Sequence, residues 1–487
     1  MIWVLAAVCA GASVPAGLRW LRVAQREHYL AGEVTRFGVR WWRSAVINVL
    51  IGIFAVFGAI YAVIDVRWGF LVPLAQVGPI GLSVKGVTSP LAWTDRLRRV
   101  ATLTGVMLVT AYLIGAVLDQ PLIVLLPLLF LPSLIDLCLW LLAPYEKRLG
   151  DQWVEKAATK LRAVGAEVVA LTGSYGKTTT KNYVAHLLSG SKRVVASPAS
   201  FNNRMGLARA VNENLTPGTE VFVAEMGTYG PGEIAELCEW IPPKVAAMVA
   251  IGPVHLERFG TIENVVRSKS EILDRAEVGV ICVDHPLLDG LALDRRQHMR
   301  IIEVSTGDGI VVDGARVVDI PNGVFAANLA VALGICSALD VDLAGIVPRL
   351  ESLPSAEHRQ SVTIGSAGFT IIDDTYNSNP AGARSALRAL AGVVEGGKTA
   401  VITPGMVELG PVQDVENREF AEAAASQVDH FVIVGRTNRR ALQQGSARGS
   451  ASVTVVDSRA DAVAWARANL GPGDAVLYEN DLPDHYP

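Results

Sequence analysis

The sequence predicts an α-helical transmembrane domain followed by two α/β domains, the first resembling a P-loop ATPase and the second a small Rossmann-like lobe. Three observations point there. The apolar residues, which lift mean hydropathy to +0.35, are concentrated before residue 145. A glycine turn, LTGSYGKTTT (Leu171–Thr180), sits between a β-rich apolar run, Glu167–Leu171, and a helix-permissive stretch, Lys177–Leu188. From Asp151 onward short apolar runs alternate with helical stretches, as in parallel sheets covered by helices on both faces. A chain of 487 residues exceeds one ordinary domain, and we place the boundaries at 1–144, 145–356 and 357–487.

Composition excludes several classes. A formal charge of −4, with 18% charged residues, gives no basic footprint for nucleic acid. The five cysteines are scattered, with no CxxC pair, so neither disulfide staples nor a cysteine zinc site is expected.

In the first domain, Ile2–Gly17 is apolar and is followed, not preceded, by basic residues, which suits an anchor rather than a cleaved signal. Ser44–Ile64, Ala101–Leu118 and Leu122–Leu142 have the length and character of further spans. Trp68–Val84 is interrupted by Pro73 and Pro79 and reads as a short kinked span or a re-entrant segment. Bases cluster in Trp20–Arg43 and Lys85–Arg99 but are scarce around Asp65–Arg67 and Asp119–Gln120. Both basic loops are therefore expected to face the cytoplasm. That requires five spans in the cell membrane, the N-terminus outside and everything after Pro144 inside. Trp20, Tyr29, Trp41 and Trp42 suit the headgroup level. Asp136, within the last span, reads either as functional or as a snorkelling or helix-paired carboxylate near one face.

In the second domain, the strand, glycine turn and helix bring backbone N–H groups and a positive helix end to one point, which favours a polyphosphate. The loop is Gly173, Ser174, Tyr175, Gly176, Lys177, Thr178 and Thr179, with Lys177 able to reach outer phosphates and Thr178 an accompanying Mg²⁺. Its spacing departs from Gly-x4-Gly-Lys-Ser/Thr, since Gly173 lies only three residues before Gly176. Glu225 ends the run VFVAE, where a carboxylate beside a phosphate loop suits Mg²⁺. His255 and Lys269 taken singly are ambiguous. Ala400–Thr403, His430–Val434, Val453–Val456 and Asp474–Tyr478 read as the strands of the third domain.

Five motifs in order give a specific resemblance: TGSYGKTTTK, FNNRMGL, AEMGTYGPGEI, HLERFGTIENVVRSKSEI and DDTYNSNP. Together they are similar to the Mur ligase family, over roughly residues 165–478, and nearest to its D-alanyl-D-alanine-adding branch. The resemblance implies a central ATP-binding domain, a C-terminal Rossmann-like domain, and an ATP- and Mg²⁺-dependent carboxylate–amine ligase working through an acyl phosphate. It further implies that Lys177 and Thr178 hold the phosphates and, with Glu225, a first Mg²⁺. His255 matches the histidine of a second Mg²⁺, and Lys269 the lysine that CO₂ carbamylates. Asn203 and Asn377 become candidate substrate contacts, Arg359 approaches the γ-phosphate, and Asp374 the ribose. Asn328 falls in the adenine-contacting element, where Phe325 replaces the family's first asparagine and either stacks on adenine or packs in the core.

Two departures concern the substrates. Five expected spans stand where the family's uridine-diphosphate-gripping domain would be, and the chain runs into YENDLPDHYP where that branch has a Lys-Gly-Ser-Arg-type segment. The expected partners are thus the lipid bilayer, a carboxylate acceptor, soluble or lipid-linked, and an amino-acid or dipeptide amine donor. A membrane partner protein or a second copy of the chain is also expected, and no nucleic acid. The alternatives are a polymerising ligase similar to poly-γ-glutamate synthase and a nucleotide-sensing membrane scaffold or transporter. Retention of Glu225, His255 and Lys269 argues against the sensor.

Overall fold

The computed structural model describes residues 1–84, 90–254, 256–321, 324–354, 361–365, 367–375, 378–393, 396–482 and 486, with residue 257 as backbone only. The chain forms two compact units, Met1–Leu149 with Leu482–Pro487, and Gly150–Asp481.

The first unit is helical. Ile2–Arg26, Glu33–Arg43, Val46–Tyr61, Asp95–Val117 and Pro121–Leu129 surround a core that includes Leu5, Trp20, Phe37, Trp41, Leu97, Leu125 and Ile135. Among the described residues, two of its helices, Ile2–Arg26 and Asp95–Val117, are long and apolar enough to cross a membrane. Counting each bent pair as one, the number rises to 4, with bends of 113° between Glu33–Arg43 and Val46–Tyr61 and of 78° before Leu131–Val164. Asp136 accepts from the amides of Val34 (3.3 Å) and Thr35 (2.8 Å). It therefore caps the start of Glu33–Arg43, the helix-paired alternative; such caps contribute about 1 kcal/mol.

Trp68–Val84, expected as a short kinked span or a re-entrant segment, is not one long helix. That stretch holds only a 3₁₀ turn, Val66–Phe70, and a five-residue helix, Leu71–Ala75, before an irregular run. Its start lies at one end of the unit, with Gly69 against Leu5 and Leu125. Its irregular end reaches the other, where Arg19 donates to the carbonyls of Gln76 (3.1 Å), Val77 (3.3 Å) and Gly78 (2.5 Å) and Arg22 to Ser83 (2.7 Å). Asn48 holds both the N–H and the carbonyl of Ile80. Pro73 and Pro79 deny the segment helical hydrogen bonds, and side chains of neighbouring helices supply partners instead. Beyond it Ala92 exchanges two hydrogen bonds with Gln25, so Arg19–Tyr29 and Ala92–Arg99 share one end of the unit.

The second unit carries two sheets. The first has the order β2-β3-β1-β4-β5-β6-β7-β8, with β1 Glu167–Thr172, β2 Val194–Ala196, β3 Val221–Glu225, β4 Val245–Met248, β5 Val278–Cys282, β6 Arg300–Ser305, β7 Ile310–Val312 and β8 Ala315–Val318. All its pairs are parallel except those of β7. Alternate residues enter opposite cores, as strand geometry requires. Val168 and Ala170 of β1 face one helix layer, and Val169 and Leu171 face the other. The largely apolar helix Ala326–Ala338 lies in the second layer, where Gly334 allows close approach because a Cβ there would strike Val280 and Val304.

The second sheet runs β13-β12-β11-β14-β10-β9, with β9 Ser361–Ile364, β10 Thr370–Asp374, β11 Thr399–Thr403, β12 His430–Val434, β13 Ser452–Val456 and β14 Ala475–Glu479. Only β9 is antiparallel. Glu479, at the carboxyl end of central β14, is fully buried and accepts hydrogen bonds from the hydroxyls of Ser378 and Thr403. It thereby ties together the chain after β10 and the end of β11. Burial pushes its carboxyl up to about 7, the two hydroxyls oppose that rise, and the nearby Asp374 charge adds to it.

The folded chain then keeps a proton that the unfolded chain has lost from its ordinary carboxylate value up to about 7. Stability falls as pH rises through that window. Glu479→Gln should therefore gain over the wild type in thermal denaturation between about pH 5 and pH 8, by on the order of 2 kcal/mol. A gap between the two chains that does not change with pH would contradict this.

Candidate functional site

The end of β1 feeds directly into the glycine turn. Ser174 donates its amide to the Ala250 carbonyl (2.7 Å) and its hydroxyl to Gly252 (3.1 Å), which anchors the loop to the chain leaving β4. The Tyr175 ring packs on Gly252, and its hydroxyl is buried. Gly176 has φ +77° at the N-cap of Lys177–Leu188, and a Cβ there would also collide with the Asn328 carboxamide. Both facts demand glycine. No side chain caps this helix start, so its first-turn amides point at an anion site. The Lys177 ammonium rests on the Gly173 carbonyl at 2.7 Å.

Glu225 reaches this point through register and parity. In the parallel pair β1–β3, Leu171 lies opposite Glu225. Glu225 shares the strand face of Val221 and Val223, which pack in the core of Lys177–Leu188. Its carboxylate accepts from the Thr178 hydroxyl (3.0 Å), the Lys181 ammonium (3.1 Å) and the Asn202 amide (3.3 Å). Burial raises its pKa, but Lys181 and Lys177 outweigh that and hold it below the ordinary range. Thr178 and Glu225 thus present a hydroxyl and an ionised carboxylate together, a donor set that fits a hard divalent cation.

Lys269, on the helix Ile262–Ser270, is buried, and no acidic side chain pairs with it among the described residues. Burial and then the charge of Lys177 push its pKa well down. Among the described residues no three His, Cys, Asp or Glu side chains gather as a metal cluster. His255, Arg359 and Asn377 lie outside the described residues.

The remaining expected residues separate. Asn203 caps Arg204–Asn214 by accepting from the Gly206 amide at 2.9 Å, whereas its neighbour Asn202 faces Glu225. Asn328 lies against the phosphate loop at Gly176. Phe325, half-buried, precedes Ala326–Ala338 and belongs to none of the apolar clusters. Asp374 ends β10 in the second sheet, and its carbonyl accepts from Asn480 at 3.1 Å. The two lobes meet where the Leu256 amide donates to the Glu408 carbonyl at 3.1 Å. Lys181 and Asn202 are the partners of Glu225 that sequence reasoning did not single out. Lys181 had a signal, since it shares the helix face of Val184 and Leu188, an apolar stripe where a lysine needs a buried partner.

Comparison with known proteins identifies this arrangement. Residues 171–327 match the Mur ligase middle domain, and residues 358–478 match the Mur ligase, glutamate ligase domain. The UDP-N-acetylmuramoyl-tripeptide–D-alanyl-D-alanine ligase of Mycobacterium leprae is 32% identical over 378 residues, 66% of this chain and 72% of that protein. Its Bacillus subtilis counterpart is 26% identical over 350 residues, 66% and 75% of the two chains. The MurF ligase of Thermotoga maritima, solved in complex with ADP, superposes with a TM-score of 0.56 at 26% identity, covering 68% of this chain and 80% of that one. The matched stretches contain the β1 loop carrying Lys177 and Thr178, the Glu225 strand end and most of the second α/β lobe. The chain belongs to the Mur ligase family, whose members form amide bonds with ATP and Mg²⁺ and release ADP.

Proposed function

We propose that the chain is a membrane-anchored ligase of envelope precursor synthesis, joining the carboxylate of a peptidoglycan-type acceptor to the amine of an amino acid or dipeptide. The observation that carries the ligase reading is Lys269, buried and without an acidic partner among the described residues, its pKa pushed down by burial and then by the Lys177 charge. A neutral amine is the form that adds CO₂: its nitrogen bonds to carbon, a proton leaves, and an ammonium position becomes an oxygen ligand. The first-turn amides and Lys177 bind the nucleotide phosphates, while Thr178 and Glu225 are placed to hold Mg²⁺. Mg²⁺ supplies charge neutralisation during phosphoryl transfer. The acceptor carboxylate takes the γ-phosphoryl group and ADP leaves. The amine then attacks the acyl carbon, phosphate leaves and the amine loses a proton.

The anchor reading is supported by Ile2–Arg26 and Asp95–Val117, and by exposed apolar side chains such as Ile53, Phe54, Ile60, Val106 and Val109. The basic stretches at one end of the first unit favour that end on the cytoplasmic side, where ATP is. Residues 1–149 lie outside the matched family domains, and exposed Arg40 and Arg43 suit an anionic, lipid-linked acid.

Three measurements test this. Lys177→Ala should lower ADP release by at least about a hundredfold with candidate acids and amines; activity within a few-fold of wild type would remove the phosphate-loop role. Lys269→Ala should be inactive and partly rescued by short carboxylates, and an active Lys269→Arg chain would count against a carbamate. A chain shortened to begin near Tyr145 should keep ADP binding yet lose ligation of the native acid. Full activity would reduce the first unit to an anchor.

A further inference from the structure

Lys181 has no place in the reaction as described, yet it is the most buried cation near the phosphate loop. Its side chain is 2% exposed and that of Glu225 4%, with 3.1 Å between ammonium and carboxylate. A buried lysine of this kind requires a reason. As a packing residue it would be matched by any apolar side chain of similar volume, because buried ion pairs are often replaceable without loss of stability. The geometry points elsewhere. Lys181 donates to Glu225 Oε2, the same oxygen that accepts from Thr178, and has a second, longer contact to the Pro198 carbonyl at 3.4 Å. The other carboxylate oxygen accepts from Asn202 at 3.3 Å. The oxygen shared with the Thr178 hydroxyl, the natural meeting point for a cation, thus already carries a protein-borne positive charge.

We propose that Lys181 is a positioning residue that serves as the internal counter-cation of Glu225 and makes divalent-metal binding conditional on nucleotide. Without nucleotide the ammonium keeps the carboxylate ionised and aimed, and repels a divalent ion arriving at the same oxygen. A bound polyphosphate brings several negative charges to the first turn of the same helix. It offsets Lys177 and Lys181 together, so the metal enters with the nucleotide rather than before it. Lys177 and Lys181 lie four residues apart on one helix face, so a single anion at the helix start acts on both. The inference rests on the metal role given above to Glu225.

The test is Mn²⁺ binding to the full-length protein, followed by electron paramagnetic resonance with and without ADP. Wild type should bind Mn²⁺ weakly alone and much more tightly with ADP. Lys181→Met should tighten nucleotide-free binding by at least about tenfold and shrink the gain from ADP. Lys181→Arg, which keeps the charge, should behave as wild type. Lys181→Gln, neutral and polar, carries the same expectation if the methionine chain does not fold. Unchanged or weaker nucleotide-free binding in the neutral variants, with ADP binding intact, would overturn the proposal. Mn²⁺ binding that stays the same in Glu225→Gln, with ADP present, would overturn both the metal role of Glu225 and this inference.

Discussion

The site depends on one register. Because β1 and β3 run parallel with Leu171 opposite Glu225, the phosphate loop and the strand-end carboxylate leave the sheet side by side. Slipping that pairing by one residue would turn Glu225 to the opposite face, away from Lys177–Leu188. Both strands are buried on both faces, so apolar packing on either side resists the slip. The catalytic geometry is therefore held by the same core that holds the sheet.

Around that register the protein handles buried charge in three ways. Glu225 is paired, and its positive neighbours keep it ionised. Lys269 lacks an acidic partner among the described residues, and its burial drives it toward the neutral form. Glu479 keeps its proton and is satisfied by hydroxyls. Burying an unpaired charge costs several kcal/mol, so a group is paired, neutralised or hydrogen-bonded in its uncharged state. The site uses the first two solutions within reach of one loop. The second sheet uses the third to join its strand ends.

The helical unit meets a parallel constraint with different means. Its irregular run after Ala75 has no helical partners for its carbonyls, and Arg19, Arg22 and Asn48 supply them. Arg22, which the clustering of bases counts as a topology signal, is an interior hydrogen-bond donor, as is Arg19 just before that stretch. Asp136 similarly accepts from the amides at a helix start.

The local chemistry was legible from the chain. Strand, glycine turn and helix at Glu167–Leu188, the carboxylate ending VFVAE, and the parallel strands of the second lobe follow from apolar periodicity and turn residues, which are local properties. The helix Lys177–Leu188 falls where the pattern places it. Strands β2, β6, β7, β8 and β9 are not picked out by the sequence; β2, β8 and β9 are short edge strands, which carry little periodic signal and are defined by their neighbours. The same limit applies to Trp68–Val84, whose hydropathy suits a span but whose prolines leave its path to partners far along the chain. Only the tertiary structure chose Asn202 over Asn203 for Glu225, gave Asp136 its cap and buried Lys181 against the carboxylate. Those choices depend on contacts between residues distant in sequence, where register, helix phase and burial select the partner, and no local pattern encodes them.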